Sequence, residues 1–239
     1  DTRVCKSLIN LLNERFNASI NISKFIPLHT HNEDDFFTNL SDDFFSINVA
    51  YMSDAGMPGI SDPGVSLVRY AQKNNIEYEI LSGANAALLS VVASGLCDKE
   101  FVFLGFLPNT GRDRSLAIQN SLNLAYPAVI YESPKRILGL VQSIANLEPE
   151  REIFAIKEAT KKFESKIKDS AKNLVQILEK ANLSGEWAIV ISKSNKTATQ
   201  NITKDEILLL DLAPKVKAKL LNKITGEDVK KIYDELAKA

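Results

Sequence analysis

Residues 53–64 read Ser-Asp-Ala-Gly-Met-Pro-Gly-Ile-Ser-Asp-Pro-Gly, directly behind the apolar run Ile47–Met52. Glycine permits positive φ and close backbone approach, and aspartate at a turn accepts from local N–H groups. At the carboxyl end of a strand in an open α/β sheet, such a loop is where ligands bind. One Ser-Asp-x-Gly alone reads equally well as a two-turn connector; two in tandem behind a buried strand point to a ligand loop. His29 and His31 are the only histidines. At i and i+2 in an extended segment they share a side, but no further Cys or His completes a metal site. No G-x-G-x-x-G, P-loop, G-x-S-x-G or zinc-spaced Cys/His pair occurs, so ordinary dinucleotide, NTPase, esterase and zinc chemistry lack their main support.

The elements that position these residues alternate between short β-type runs and amphipathic helical stretches. Strands are predicted at Ile47–Met52, Ile76–Leu81, Phe101–Phe106, Ala128–Glu132, Ile153–Ile156 and Trp187–Ser192. Helices are predicted over Gly64–Asn75, Asn85–Ser94 with Gly95 as stop, Asp113–Leu124, Ala171–Asn182, and from Pro134 to Leu147 behind Ser133 as N-cap. The pattern is that of an α/β protein with two sheets. One boundary is expected near Ser82–Ala84 and a second in the polar stretch Ser194–Asn201. Beyond it, Asp205–Leu212, Lys215–Ile224 and Glu227–Ala237 read as short helices punctuated by Pro214 and Gly226. The domains expected are therefore 1–82 (α/β), 83–196 (α/β) and 202–239 (a helical extension).

The 239 residues, 45% hydrophobic and 25% charged, are ordinary globular material and exclude a disordered or fibrous chain. No apolar run is long enough for a membrane span. Two cysteines make no disulfide framework, which suits a reducing, cytoplasmic location. The net charge of −1 conceals polarity. Residues 1–100 hold seven basic and thirteen acidic side chains, a balance of −6; residues 101–200 hold fourteen and ten, a balance of +4; the last 39 stand at +1. Positive charge concentrated in the second half suits a polyanion, although solvated helix faces give similar counts.

The 53–64 loop resembles the S-D-A-G-T-P-x-I-S-D-P-G signature of the tetrapyrrole-methylase superfamily, and within it the ribosomal RNA small-subunit methyltransferase I family. Further segments fit in order. Asp1-Thr2-Arg3 is similar to the end of E-D-T-R, His29-Thr30-His31-Asn32-Glu33 to H-x-H-N-E, and Ser82–Ala87 to P-G-x-x-A-A. Gly105–Pro108 resembles G-F-L-P, Tyr131–Arg136 Y-E-S-P-H-R, Lys157–Glu164 R-E-L-T-K-x-F-E, and Gly185-Glu186 the K-G-E turn. The likeness spans essentially the whole chain. It departs at Met57, Ser82, Lys135 and Lys157, which stand for Thr, Pro, His and Arg. The family's first strand and Gly-rich loop would precede Asp1, so the chain reads as N-terminally truncated.

The resemblance implies a two-domain fold with S-adenosylmethionine in the cleft between domains, and methyl transfer to the 2′-hydroxyl of a cytidine in small-subunit ribosomal RNA. It implies a homodimer and no metal. Asp54, Ala55, Gly56 and Ile60 would line the cofactor, met from the other side by Asn85 and Ala86, with Tyr131, Glu132 and Glu158 beneath. A ribose hydroxyl needs a proton acceptor. Glu132, at a strand end, is the first candidate, and reads equally as a helix-start charge paired with Lys135 or Arg136. His31 is the alternative base or an RNA contact, with a turn-stabilising role as its plainer reading. Arg3 and Lys157 are candidates to neutralise phosphate or orient Glu132. The RNA candidates are Arg112, Arg114, Lys135, Arg136, Lys161 and Lys162, followed by Lys166 and Lys168. The Phe36, Phe37, Phe44 and Phe45 doublets read as core. Two competing functions remain at this stage: a same-fold methylase of a corrin or tetrapyrrole precursor, and a non-catalytic ribosome- or RNA-binding module.

Overall fold

The computed structural model describes residues 1–41, 43–61, 63–195 and 203–237. The chain divides into two compact units, residues 1–193 and 194–239.

The first unit begins with helix α1 (Thr2–Phe16), followed by α2 (Glu33–Thr38), a 3-10 turn at Phe44–Ser46 and α3 (Val65–Lys73). Phe36, Phe37, Phe44, Phe45 and Tyr70 pack ring against ring at 4.9–5.9 Å as a half-buried aromatic cluster rather than the core expected. The strands expected at Ile47–Met52 and Ile76–Leu81 do not form. A strand needs a ladder to satisfy its N–H and C=O groups, and neither segment pairs with a partner among the described residues. Their apolar side chains Ile47, Val49, Met52, Ile80 and Leu81 consequently stand exposed. Instead of two sheets, the described residues contain one.

That sheet follows α4 (Ala86–Ser94), which is capped by the Asn85 side chain and stopped by Gly95 in the left-handed region. In chain order come β1 (Val102–Phe106), α5 (Gly111–Leu122), β2 (Ala128–Glu132), α6 (Ile137–Leu147), β3 (Glu152–Lys157), β4 (Ser165–Ser170), α7 (Ala171–Leu178) and β5 (Trp187–Ile191). The strand order is β1-β2-β5-β3-β4, with β1 and β2 parallel and the other pairs antiparallel. Side chains alternate across the strands. Ile130, Ile153, Ala155, Ile189 and Ile191 pack with α5, α6 and α7 on one face. Val129, Phe154, Ile156, Ala188 and Val190 pack with Ala87 and Val91 of α4 on the other. The strand β4, Ser-Lys-Ile-Lys-Asp-Ser, was not foreseen, because an edge strand of polar residues lacks an apolar run.

The second unit holds α8 (Lys204–Leu209), α9 (Pro214–Thr225) and α10 (Val229–Leu236), around a core of Ile207, Ala218, Leu221 and Ile232. Thr203 and Glu206 form a capping box, Pro214 occupies the first turn of α9, and Gly226 ends it. Most of the predicted polar linker, and the start of the predicted extension at residue 202, lie outside the described residues. No described helix is long and apolar enough to cross a membrane.

Candidate functional site

The Ser53–Gly64 loop is held by its own polar groups. The Ser53 hydroxyl donates to the carbonyls of Ala55 and Gly56, and the Tyr51 hydroxyl donates to the Pro63 carbonyl, tying the loop's end to its start. Asp62, from the second Ser-Asp-x-Gly, is outside the described residues. The Met57 N–H donates to the Ala84 carbonyl at 2.8 Å, stitching this loop to the segment that enters α4. Gly56 has φ +75°, and a Cβ there would come within 2.7 Å of the Ala84 oxygen. Only glycine fits both constraints. Asp54, Ala55 and Gly56 are thereby brought beside Ala84, Asn85 and Ala86, although these two groups lie some thirty residues apart in sequence. Ile60 is on the same loop and exposed.

Asn85 spends its side-chain oxygen on the Leu88 N–H, fixing the start of α4, and the preceding N–H, from Ala87, donates to the Tyr131 hydroxyl at 2.9 Å. Tyr131 therefore joins the end of β2 to the first turn of α4. The set fits the expected cofactor: a glycine-lined backbone cradle, the Asp54 carboxylate for a cationic ligand, and a helix start fixed in place. Asp54 Oδ1 also lies 2.6 Å from the Asp1 nitrogen.

Glu132 lies elsewhere. Consecutive strand residues point to opposite faces, so Tyr131 joins the α4 face while Glu132 meets the α5 and α6 side. Its side chain is fully buried. Oε1 accepts from the Ser133 N–H and Arg136 Nε, each at 2.7 Å, and Oε2 accepts from Arg114 Nη2 at 2.8 Å. The arginines are anchored at their other ends, Arg114 Nη1 on the Pro108 carbonyl and Arg136 Nη1 on Asn109 Oδ1. This carboxylate also explains where α6 begins. The 133–136 segment closes as a turn around it, with Ser133 O accepting from the Arg136 and Ile137 N–H groups. The helix starts at Ile137 rather than at Pro134, with Arg136 in the cap position in place of the expected Ser133.

Glu158, expected beneath the cofactor, has φ +50° and latches two turns together. Its N–H donates to the Glu186 carbonyl, and its Oε1 accepts from the Glu186 N–H at 2.8 Å. Lys161 Nζ bridges Glu158 and Glu186. The Glu186 N–H and the Lys161 ammonium hold the Glu158 carboxyl below the usual carboxylate range, and the Glu186 carboxylate raises Lys161. Lys157 Nζ donates to the Asn182 carbonyl and lies 5.9 Å from the Trp187 ring centroid, so it does not reach Glu132 through any described contact. Arg3 pairs with Asp1 and is largely exposed. His31 is exposed in a turn that the Asn32 amide holds, its oxygen accepting from the His29 N–H and its nitrogen donating to the Pro27 carbonyl. Among the described residues, no three His, Cys, Asp or Glu side chains gather as a metal site.

Of the RNA candidates, Arg112 and Lys135 are exposed beside the Arg114–Glu132–Arg136 cluster. Lys162 lies against the Phe163 ring, Lys166 pairs with Glu164 and Lys168 with Glu152. Sequence reasoning missed Asn109, the residue after Gly-Phe-Leu-Pro, which fixes Arg136. It also missed Arg151, buried and bonded to Glu148 and to the carbonyls of Leu122 and Ser192. Position after a recognised motif was a usable signal for Asn109; Arg151 has none.

Residues 27–175 match the model of the Tetrapyrrole (Corrin/Porphyrin) Methylases. The chain is 58% identical to "Ribosomal RNA small subunit methyltransferase I" of Campylobacter fetus over 99% of its own length and 88% of that protein. It is 38% identical to the protein of the same name in Helicobacter pylori, over 98% and 85%. Among solved structures it is similar to the methyltransferase CobJ at 16% identity, covering 58% of this chain and 62% of that one, with a TM-score of 0.42.

Proposed function

The chain belongs to the tetrapyrrole methylase family, and we propose that it transfers a methyl group from S-adenosylmethionine to the 2′-hydroxyl of a cytidine in small-subunit ribosomal RNA. The observation that carries this is 58% identity, along almost its entire length, to a protein named for methylating that RNA. The polar loop stitched to α4 supports it as a cofactor cradle.

S-adenosylmethionine supplies an activated methyl group: the O–CH₃ bond forms as the S–CH₃ bond breaks, and the electron pair leaves with sulfur as a neutral thioether. This chain's residues have to hold the donor, align the hydroxyl at about 3–3.5 Å and take up its proton. Asp54, Ala55, Gly56 and Ile60 hold the donor from one side, Asn85 and Ala86 from the other, and Tyr131 fixes the first turn of α4. Glu158 and Lys161 keep the neighbouring turns in register. Of the two candidate proton acceptors, Glu132 is sealed beneath two guanidinium groups and His31 is open to solvent. His31 is the acceptor in this reading. Arg112, Arg114, Lys135 and Arg136 take the RNA backbone, assisted by Lys161 and Lys162.

The same reading keeps residues 1–82 and 83–196 as the two lobes of the cleft and 202–239 as a helical extension, in a cytoplasmic homodimer. The test is label transfer from methyl-labelled S-adenosylmethionine to three acceptors: unmethylated small subunits, large subunits and a tetrapyrrole precursor. Label is expected in the small subunit alone. Label in the tetrapyrrole instead makes the chain a small-molecule methylase, and RNA binding without label in any acceptor makes it a binding module.

A further inference from the structure

Two arginines on one buried carboxylate, each also anchored at its far end, are more than a salt bridge. We infer that Glu132 is a positioning residue that sets Arg114 and Arg136 as a clamp for a backbone phosphate of the substrate RNA. The inference rests on the RNA reading above.

A buried carboxylate has to be paired, and this one holds two cations, leaving one positive charge over. The surplus faces outward. The Arg136 side chain retains 29% exposure and Arg114 13%, while the carboxylate has none. Each guanidinium carries five N–H donors, and the contacts to Glu132, Pro108 and Asn109 engage two on each. The remaining donors lie in planes fixed from both ends, so little rotamer entropy is left to lose when an anion docks.

The surroundings agree. Arg112 and Lys135 are exposed close by, so residues 109–136 hold four cations against Asp113 and Glu132. Gly111, at the start of the twelve-residue α5, has φ +79°, and a Cβ there would meet nothing within 4 Å, so the approach is open. The clamp faces the α5 and α6 side of the sheet, whereas Tyr131 and α4, whose entry the 53–57 loop meets, belong to the other side. The anion it takes is therefore a phosphodiester of the RNA and not the carboxylate of S-adenosylmethionine.

The experiment compares the parent chain with Glu132→Gln, Arg114→Lys and Arg136→Lys. It reads filter binding of small-subunit RNA across a salt series, calorimetric S-adenosylmethionine affinity, and kcat and KM with small subunits. Removing a negative charge beneath two arginines strengthens RNA binding if charge alone matters. A positioning role requires the reverse: Glu132→Gln weakens RNA binding about tenfold or more and raises KM more than it lowers kcat. Deleting a buried counter-charge can unfold a protein, so the lysine variants, which keep the carboxylate paired, carry the test independently. They keep the charge count and lose the fork, so RNA binding weakens at an unchanged salt slope. Tighter RNA binding by Glu132→Gln, lysine variants with parental affinity, or a loss confined to kcat or to cofactor affinity overturns the inference. A parent chain that methylates a small molecule and binds no RNA overturns the RNA reading and the clamp together.

Discussion

A carboxylate buried beneath a backbone N–H and two guanidiniums presents no oxygen to an incoming ribose hydroxyl, which shifts attention from Glu132 to His31. His31→Ala is expected to lower kcat about 10²-fold or more, with cofactor affinity unchanged. Single-turnover label transfer beside calorimetry reads both, and an undiminished kcat removes His31. Residue types were legible in the sequence: Glu132 as a helix-start charge for Arg136, and a loop rich in Gly and Asp. Strand alternation alone puts Tyr131 and Glu132 on opposite faces; what could not be read is which of those faces α4 covers and which α5 and α6 cover. Glu158 carries a pH prediction of its own. The Glu186 N–H and the Lys161 ammonium hold its carboxyl below the ordinary value, so its latch contributes fully above the usual carboxylate range and is lost as pH falls through the lowered value. Lower protection factors at the Glu186 and Glu158 amides on acidification, after correction for the intrinsic fall in exchange rate, with the β2–β5 ladder still protected, are the expected sign. Uniform loss across the sheet contradicts a local latch.

Elements position these residues with different degrees of autonomy. The strands β2, β3 and β5 were readable because they sit inside the sheet and present continuous apolar runs. The strand β4 escaped because its sequence, Ser-Lys-Ile-Lys-Asp-Ser, carries no apolar run, and the runs at 47–52 and 76–81 misled because such a run makes a strand only where a ladder partner exists. The helix α4 was legible almost to the residue, from Asn85 as cap to Gly95 as stop. Its contact with the 53–64 loop is a tertiary fact that no local pattern announces. Gly56→Ala tests that contact. A methyl group 2.7 Å from the Ala84 oxygen, on a backbone with φ +75°, has to displace the loop or the α4 entry. About tenfold weaker cofactor binding is expected, with a stability loss of about 1–2 kcal/mol, the cost of a left-handed non-glycine residue. Parental cofactor affinity would mean that the loop does not contribute to the cradle.

At the scale of the whole molecule, the skewed charge is the feature that joins fold to substrate. The acidic balance of residues 1–100 falls in the segment that carries the 53–57 loop, and the basic balance of residues 101–200 falls on the elements that carry the clamp. A cationic donor and a polyanionic acceptor are thus drawn to different surfaces of one unit. RNA capture is accordingly expected to weaken steeply with salt while cofactor affinity changes little, and equal salt slopes for the two ligands would contradict that division. The central claim, that the acceptor atom is a ribose oxygen of a cytidine, is tested most directly by nucleoside analysis. Small subunits lacking the modification are incubated with the chain and methyl-labelled S-adenosylmethionine, then digested to nucleosides and resolved by mass. The account requires the label in a cytidine whose added methyl remains with the sugar fragment. A methyl retained on the base, or carried by another nucleoside, contradicts it.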